Sequence, residues 1–111
     1  MSLQESDRAA AAVAVAPRVA LADIEGRVAS RYDFTAGAAI AALSMPANPA
    51  VDLLSICILV MANGFTVIGK SAPASPENFS AELGRKFAYE DAIRQLWPLE
   101  GYALRERLSA K

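Results

Sequence analysis

The chain reads as an α+β domain. An antiparallel sheet built on a β-hairpin is expected to pack against two C-terminal helices and one N-terminal helix, with the whole assembled as an oligomer. Three observations predict this. Asn63-Gly64 separates two apolar, β-branched runs, residues 53–62 and 65–70, and both turn residues tolerate the positive φ angles of a tight two-residue loop. Ser75-Pro76-Glu77 opens a long stretch with apolar residues at helical spacing. The paired runs carry bulky apolar side chains on both faces, and in a chain of 111 residues one layer of helices covers only one of them. The other face must meet the N-terminal helix or a second subunit.

Taken in order, residues 1–17 form an alanine-rich arm closed by Pro17, expected to be mobile or helical only against a neighbouring subunit, because alanines offer little to pack. Residues 18–111 are the length of one domain. Leu21, Ile24 and Val28 recur at spacings of three and four and mark one face of a short helix, with Tyr32-Asp33-Phe34 beyond its end. Residues 35–43 are too rich in alanine to assign, and Pro46 and Pro49 make a loop of residues 45–49. A two-residue turn pairs Ala62 with Phe65, Val60 with Val67 and Leu59 with Ile68. The first C-terminal helix should run from Ser75-Pro76 to Trp97, with Phe79, Leu83, Tyr89, Ile93, Leu96 and Trp97 as its apolar arc. Pro98 should open the second, turning Tyr102, Leu104 and Leu108 inward. Glu82, Lys86 and Glu90, four apart, read as a solvated, ion-paired face.

Composition removes most chemistry. The chain has no histidine and one cysteine, Cys57, inside an apolar run, so a histidine base, a Cys/His metal site and an internal disulfide are excluded. A small buried hydrophobe is the natural role for that thiol, in keeping with a reducing cytosol. Eleven basic and twelve acidic residues give a net charge of −1, which does not supply the positive field that DNA binding requires. Residues 53–62 are too short to cross a bilayer, and Glu5 and Asp7 stand where a secretory leader needs basic residues. Gly69, Gly84 and Gly101 match neither a dinucleotide nor a Walker spacing, and Ser71 and Ser75 have no base to activate them. An enzyme is therefore not expected, and neither is a cofactor or metal.

What remains suits the holding of a nucleotide: arginines at 85, 94, 105 and 107, Lys70 and Lys86, with Phe79, Phe87, Tyr89 and Tyr102 near them in sequence. A nucleotide needs an apolar or aromatic surface for its base and forked donors for its phosphates. The candidate ligand-binding residues are Arg85, Arg105, Phe79, Tyr89, Lys70, Lys86 and Arg107. Each aromatic also has an ordinary core role open to it.

The words Asn63-Gly64-Phe65-x-Val67-x-Gly69-x-Ser71-Ala72, Asn78-Phe79, Leu83-Gly84-Arg85-Lys86-x-Ala88-Tyr89-Glu90 and Trp97-Pro98-Leu99-Glu100-Gly101-Tyr102 follow one another in an order that resembles a family of small bacteriophage proteins. The resemblance covers residues 19–108 and implies kinship with phage sponge proteins that defeat the bacterial Thoeris defence by sequestering a cyclic ADP-ribose signal. It implies a ligand of that class, with cyclic oligonucleotides of the CBASS pathway as a related possibility, and residence in the host bacterial cytoplasm. Asp91 departs from the asparagine usual in the Tyr-Glu-Asn-Ala word, and a carboxylate there would repel phosphate if the position touched ligand. The competing class is a small phage inhibitor that blocks a host protein.

Overall fold

The computed structural model describes residues 2–110. Along the chain run α1 (Leu3–Val13), α2 (Leu21–Glu25), β1 (Val28–Thr35), α3 (Ala36–Ala42), β2 (Ser55–Met61), β3 (Thr66–Ser71) and α4 (Ala81–Ser109), with 3₁₀ turns at Pro49–Leu53 and Pro76–Asn78. The three strands form one antiparallel sheet in the order β1-β2-β3. The sequence shows the hairpin of β2 and β3. It does not reveal β1, which takes in Tyr32-Asp33-Phe34 and follows α2 almost directly.

The hairpin register differs from expectation by one residue. Leu59 pairs with Val67 and Ile58 with Ile68. Asn63 keeps a negative φ while its Oδ1 accepts the Phe65 N–H at 3.0 Å, and Gly64 alone takes the left-handed region at φ 87°. The loop thus holds three residues, closed by Gly64 N–H to Met61 O and Met61 N–H to Phe65 O, both at 2.8 Å. A one-residue slip exchanges the faces. Leu59 points into the core and Ile68 points away from it.

One face of the sheet, bearing Cys57, Leu59, Met61 and Val67, is buried beneath Ala88, Ala92, Ile93 and Leu96 of α4. Gly69 permits this contact at close range. A methyl group at Gly69 would overlap the Ala88 carbonyl oxygen and come within 2.6 Å of the Ala92 nitrogen. Ile24 of α2 and Leu3 of α1 close the same core. The arm expected to be mobile therefore includes a helix packed on its own chain: Leu3, Ser6 and Ala10 share a cleft with Arg94 and Trp97, and Asp7 bonds both Arg18 and the Leu21 N–H. Those two donors hold the Asp7 carboxyl below its usual range, the Leu21 amide foremost.

Placing α1 against α4 leaves the second sheet face open. By strand alternation that face carries Tyr32 and Phe34, Ile56, Ile58 and Val60, and Ile68; Tyr32 and Ile68 are 55% and 57% exposed.

The two C-terminal helices expected on either side of Pro98 are one helix of 29 residues. Pro98 removes a hydrogen bond to the Arg94 carbonyl, but both residues are exposed, so water can satisfy that oxygen. Leu96 anchors the helix before the proline and the Arg27–Glu100 ion pair, 3.4 Å, tethers it after. Tyr102, expected inward, is 70% exposed, while Leu104 and Leu108 are half-buried. The helix also starts later than expected, at Ala81, because Ser80 accepts the Leu83 N–H while Pro76–Asn78 forms a separate turn. Glu90, read as part of a solvated face, is buried one turn before the Arg94 and Trp97 side that α1 covers.

Candidate functional site

The start of α4 lies over the end of the sheet where β2 begins and β3 finishes. Gly84 rests against Ser55, and a methyl at 84 would collide with the Ser55 hydroxyl. Two recesses share the Ser55 side chain. The larger, about 190 Å³, is walled by Ser71, Pro73, Phe79, Leu83 and Phe87. The smaller, about 70 Å³, is walled by Asp33, Thr35, Ala81 and Arg85. One side of this groove is therefore aromatic and the other polar and charged.

The charges around it divide cleanly. Asp33 is held by Arg31 at 2.9 Å, and Arg31 in turn lies 4.2 Å above the centroid of the Tyr89 ring. Among the described residues Arg85 has no carboxylate within ion-pair distance. Cys57 lies deeper in the core, where burial, reinforced by the Asp33 charge, pushes its thiol up to about 11. No group of three or more cysteine, aspartate and glutamate side chains among the described residues is placed to hold a metal ion.

Of the seven residues selected from sequence, Phe79 and Arg85 come together at this groove. Lys70 is next to Ser71 on β3, but alternation turns its side chain to the open face of the sheet, and Lys86 is exposed on α4. Tyr89 is occupied elsewhere, donating its hydroxyl to Glu25 and carrying Arg31 on its ring. Burial and the Glu25 bond raise the Tyr89 phenol. Arg105 and Arg107 lie on the far third of α4. Twenty residues of helix separate Arg105 from Arg85, roughly 30 Å, because the helix does not fold back at Pro98. One chain does not bring them together. Sequence reading missed Ser55, whose only signal is a lone polar residue at the head of an apolar strand.

A second cleft of about 340 Å³ opens at the opposite end of the sheet, lined by Met61, Phe65, Leu96, Leu99 and the Arg27–Glu100 pair. No helix among the described residues is long and apolar enough to cross a membrane.

The sequence profile of the phage protein family described as N4 Gp49/phage Sf6 gene 66 matches residues 19–108. The chain belongs to that phage family. The match takes in the whole sheet, the groove and nearly all of α4, and leaves out α1. Within it, Ser71-Ala72, Asn78-Phe79 and Leu83-Gly84-Arg85 meet at the groove, whereas Asn63, Phe65 and Leu99-Glu100 meet at the other cleft. No curated protein matches the chain, and no solved structure does.

Proposed function

We propose that this phage protein captures a cyclic nucleotide immune signal of its bacterial host and sequesters it without cleavage, acting as a homo-oligomer in the host cytoplasm. A cyclic ADP-ribose isomer of the Thoeris pathway is the ligand the family resemblance favours, with CBASS cyclic oligonucleotides as the related class. The observation that carries the reading is the groove at the head of α4. There Phe79 and Phe87 line one recess and Arg85, a guanidinium with no carboxylate partner among the described residues, lines the adjoining one across Ser55. Sequestration rather than turnover is supported by a chain without histidine, whose single thiol is held protonated.

Self-association is supported by two features. The open sheet face carries a contiguous apolar patch of Tyr32, Phe34, Ile56, Ile58 and Ile68, with Lys70 beside it on the edge strand, and a copy of the chain can cover that patch. At about 190 Å³ the larger recess is smaller than the roughly 300 Å³ from which enclosed ligand sites begin, so one chain provides a partial site. Phe34 belongs to both the open face and the small recess, which puts a second copy on that face within reach of the groove.

The same open face favours the competing reading, a small inhibitor that binds a host protein. Calorimetric titration with cyclic ADP-ribose isomers and cyclic dinucleotides separates them. Saturable binding, weakened about tenfold or more in Arg85→Ala, is the expected result. Absence of binding by every cyclic nucleotide, together with retention of a host polypeptide on the immobilised protein, would replace this reading with the other.

A further inference from the structure

Ser55 is buried at the groove, where α4 crosses the head of β2. The residue is 3% exposed, and no hydrogen bond among the described residues engages its hydroxyl. No side-chain oxygen or nitrogen among the described residues is both fully sealed and unpartnered, so this hydroxyl keeps access to solvent. It lines both recesses of the groove. A hydroxyl without a protein partner gives the fold nothing that alanine would not give at this position, which faces Gly84 at the head of an apolar strand.

The small recess beside it has the donors of an anion site. Ala81 lines it, and the Ala81 and Glu82 N–H groups open a helix of 29 residues with no acceptor among the described residues, since Ser80 serves Leu83 and Gly84 instead. Arg85 lines it one turn later. Asp33 also borders it, with its charge compensated by Arg31. Glu82 is exposed and lines neither recess.

We infer that Ser55, Arg85 and the first-turn amides of α4 form a phosphate subsite, with the aromatic recess on the other side of Ser55 receiving the attached base. The inference rests on the nucleotide-binding reading for its ligand, but the subsite is addressed to phosphate itself. A nucleoside lacking phosphate then binds far more weakly than its nucleotide, and pyrophosphate alone engages the small recess.

Amide spectra of the full-length protein titrated with pyrophosphate, and separately with a cyclic ADP-ribose isomer, provide the test. Pyrophosphate is expected to shift the signals of Ser55 and of Ala81 to Arg85 while leaving those around Phe65 and Leu99 in place. Ser55→Ala should weaken both ligands about tenfold, the worth of one charge-assisted hydrogen bond, without lowering the melting temperature, because the hydroxyl has no partner to lose. Arg85→Lys should weaken binding in the same sense. Shifts by pyrophosphate without any by cyclic nucleotides would keep the subsite and overturn the ligand reading. Tight cyclic nucleotide binding that Ser55→Ala leaves unchanged, or a lowered melting temperature with unchanged affinity, would overturn the subsite and keep the reading.

Discussion

The Asp91 carboxylate accepts the backbone N–H of Lys70 at 2.9 Å, joining α4 to the free edge of β3. One turn later Gln95 donates to the Ile68 carbonyl at 2.7 Å, so two outward-facing backbone groups of an edge strand are satisfied by side chains of the helix that covers the sheet. An unguarded edge is a template for aberrant pairing. The position where the resemblance expects asparagine thus has a structural duty that either residue can perform with a side-chain oxygen.

Asp91→Asn should accordingly leave stability within about 0.5 kcal/mol of the parent, while Asp91→Ala should cost roughly 1–2 kcal/mol by orphaning the Lys70 amide. Urea denaturation of the two variants checks this. A ligand affinity that changes strongly in Asp91→Asn would give the position a binding duty as well.

Self-association should depend on the open sheet face rather than on the core. Ile68→Lys places a charge opposite Ile58, where the isolated chain is already exposed, so the fold should survive within about 1 kcal/mol while assembly is lost. Light scattering at micromolar concentration reads the outcome. The parent should exceed the 11.7 kDa monomer mass and the variant should approach it, and a parent that is monomeric at every accessible concentration contradicts the assignment.

Much of the architecture was legible in the sequence where local chemistry decides it. The Asn63-Gly64 turn and the apolar spacing from Tyr89 to Trp97 both follow from residue types at fixed intervals. What escaped was settled at a distance. The hairpin register turned on whether Asn63 would adopt positive φ or use its side chain to hold the Phe65 amide. Strand β1 alternates charge and aromatics from Arg31 to Phe34, but its first residue, Val28, also fits the helical spacing of Leu21 and Ile24, and only its pairing with β2 makes it a strand. Pro98 reads as a boundary by propensity, yet anchoring on both sides carries the helix through it. For the site, Phe79 and Arg85 were visible as residue types, but the straight path of α4 separates them from Arg105, and Ser55 becomes notable only once Gly84 is seen against it.

Stability should fall in alkali. The Cys57 thiol, raised to about 11 by burial, and the Tyr89 phenol, raised above its usual value of 10.0 by burial and by Glu25, both keep their protons in the fold at pH values where the unfolded chain releases them. Between about pH 9 and 11 the unfolded state binds fewer protons than the native state, so unfolding free energy declines as pH rises. Denaturant midpoints measured from pH 8 to 11 should drop steadily, and the drop should diminish in Cys57→Ala. A flat profile would contradict the burial of both groups.

The central claim is capture without turnover, and recovery of ligand after denaturation tests it most directly. The protein is incubated with excess cyclic ADP-ribose isomer, freed of unbound ligand, heated to unfold and its supernatant quantified by mass spectrometry. Intact ligand in a fixed ratio to protein is the predicted result. No retained ligand, or hydrolysed product accumulating beyond one molecule per subunit, would contradict it.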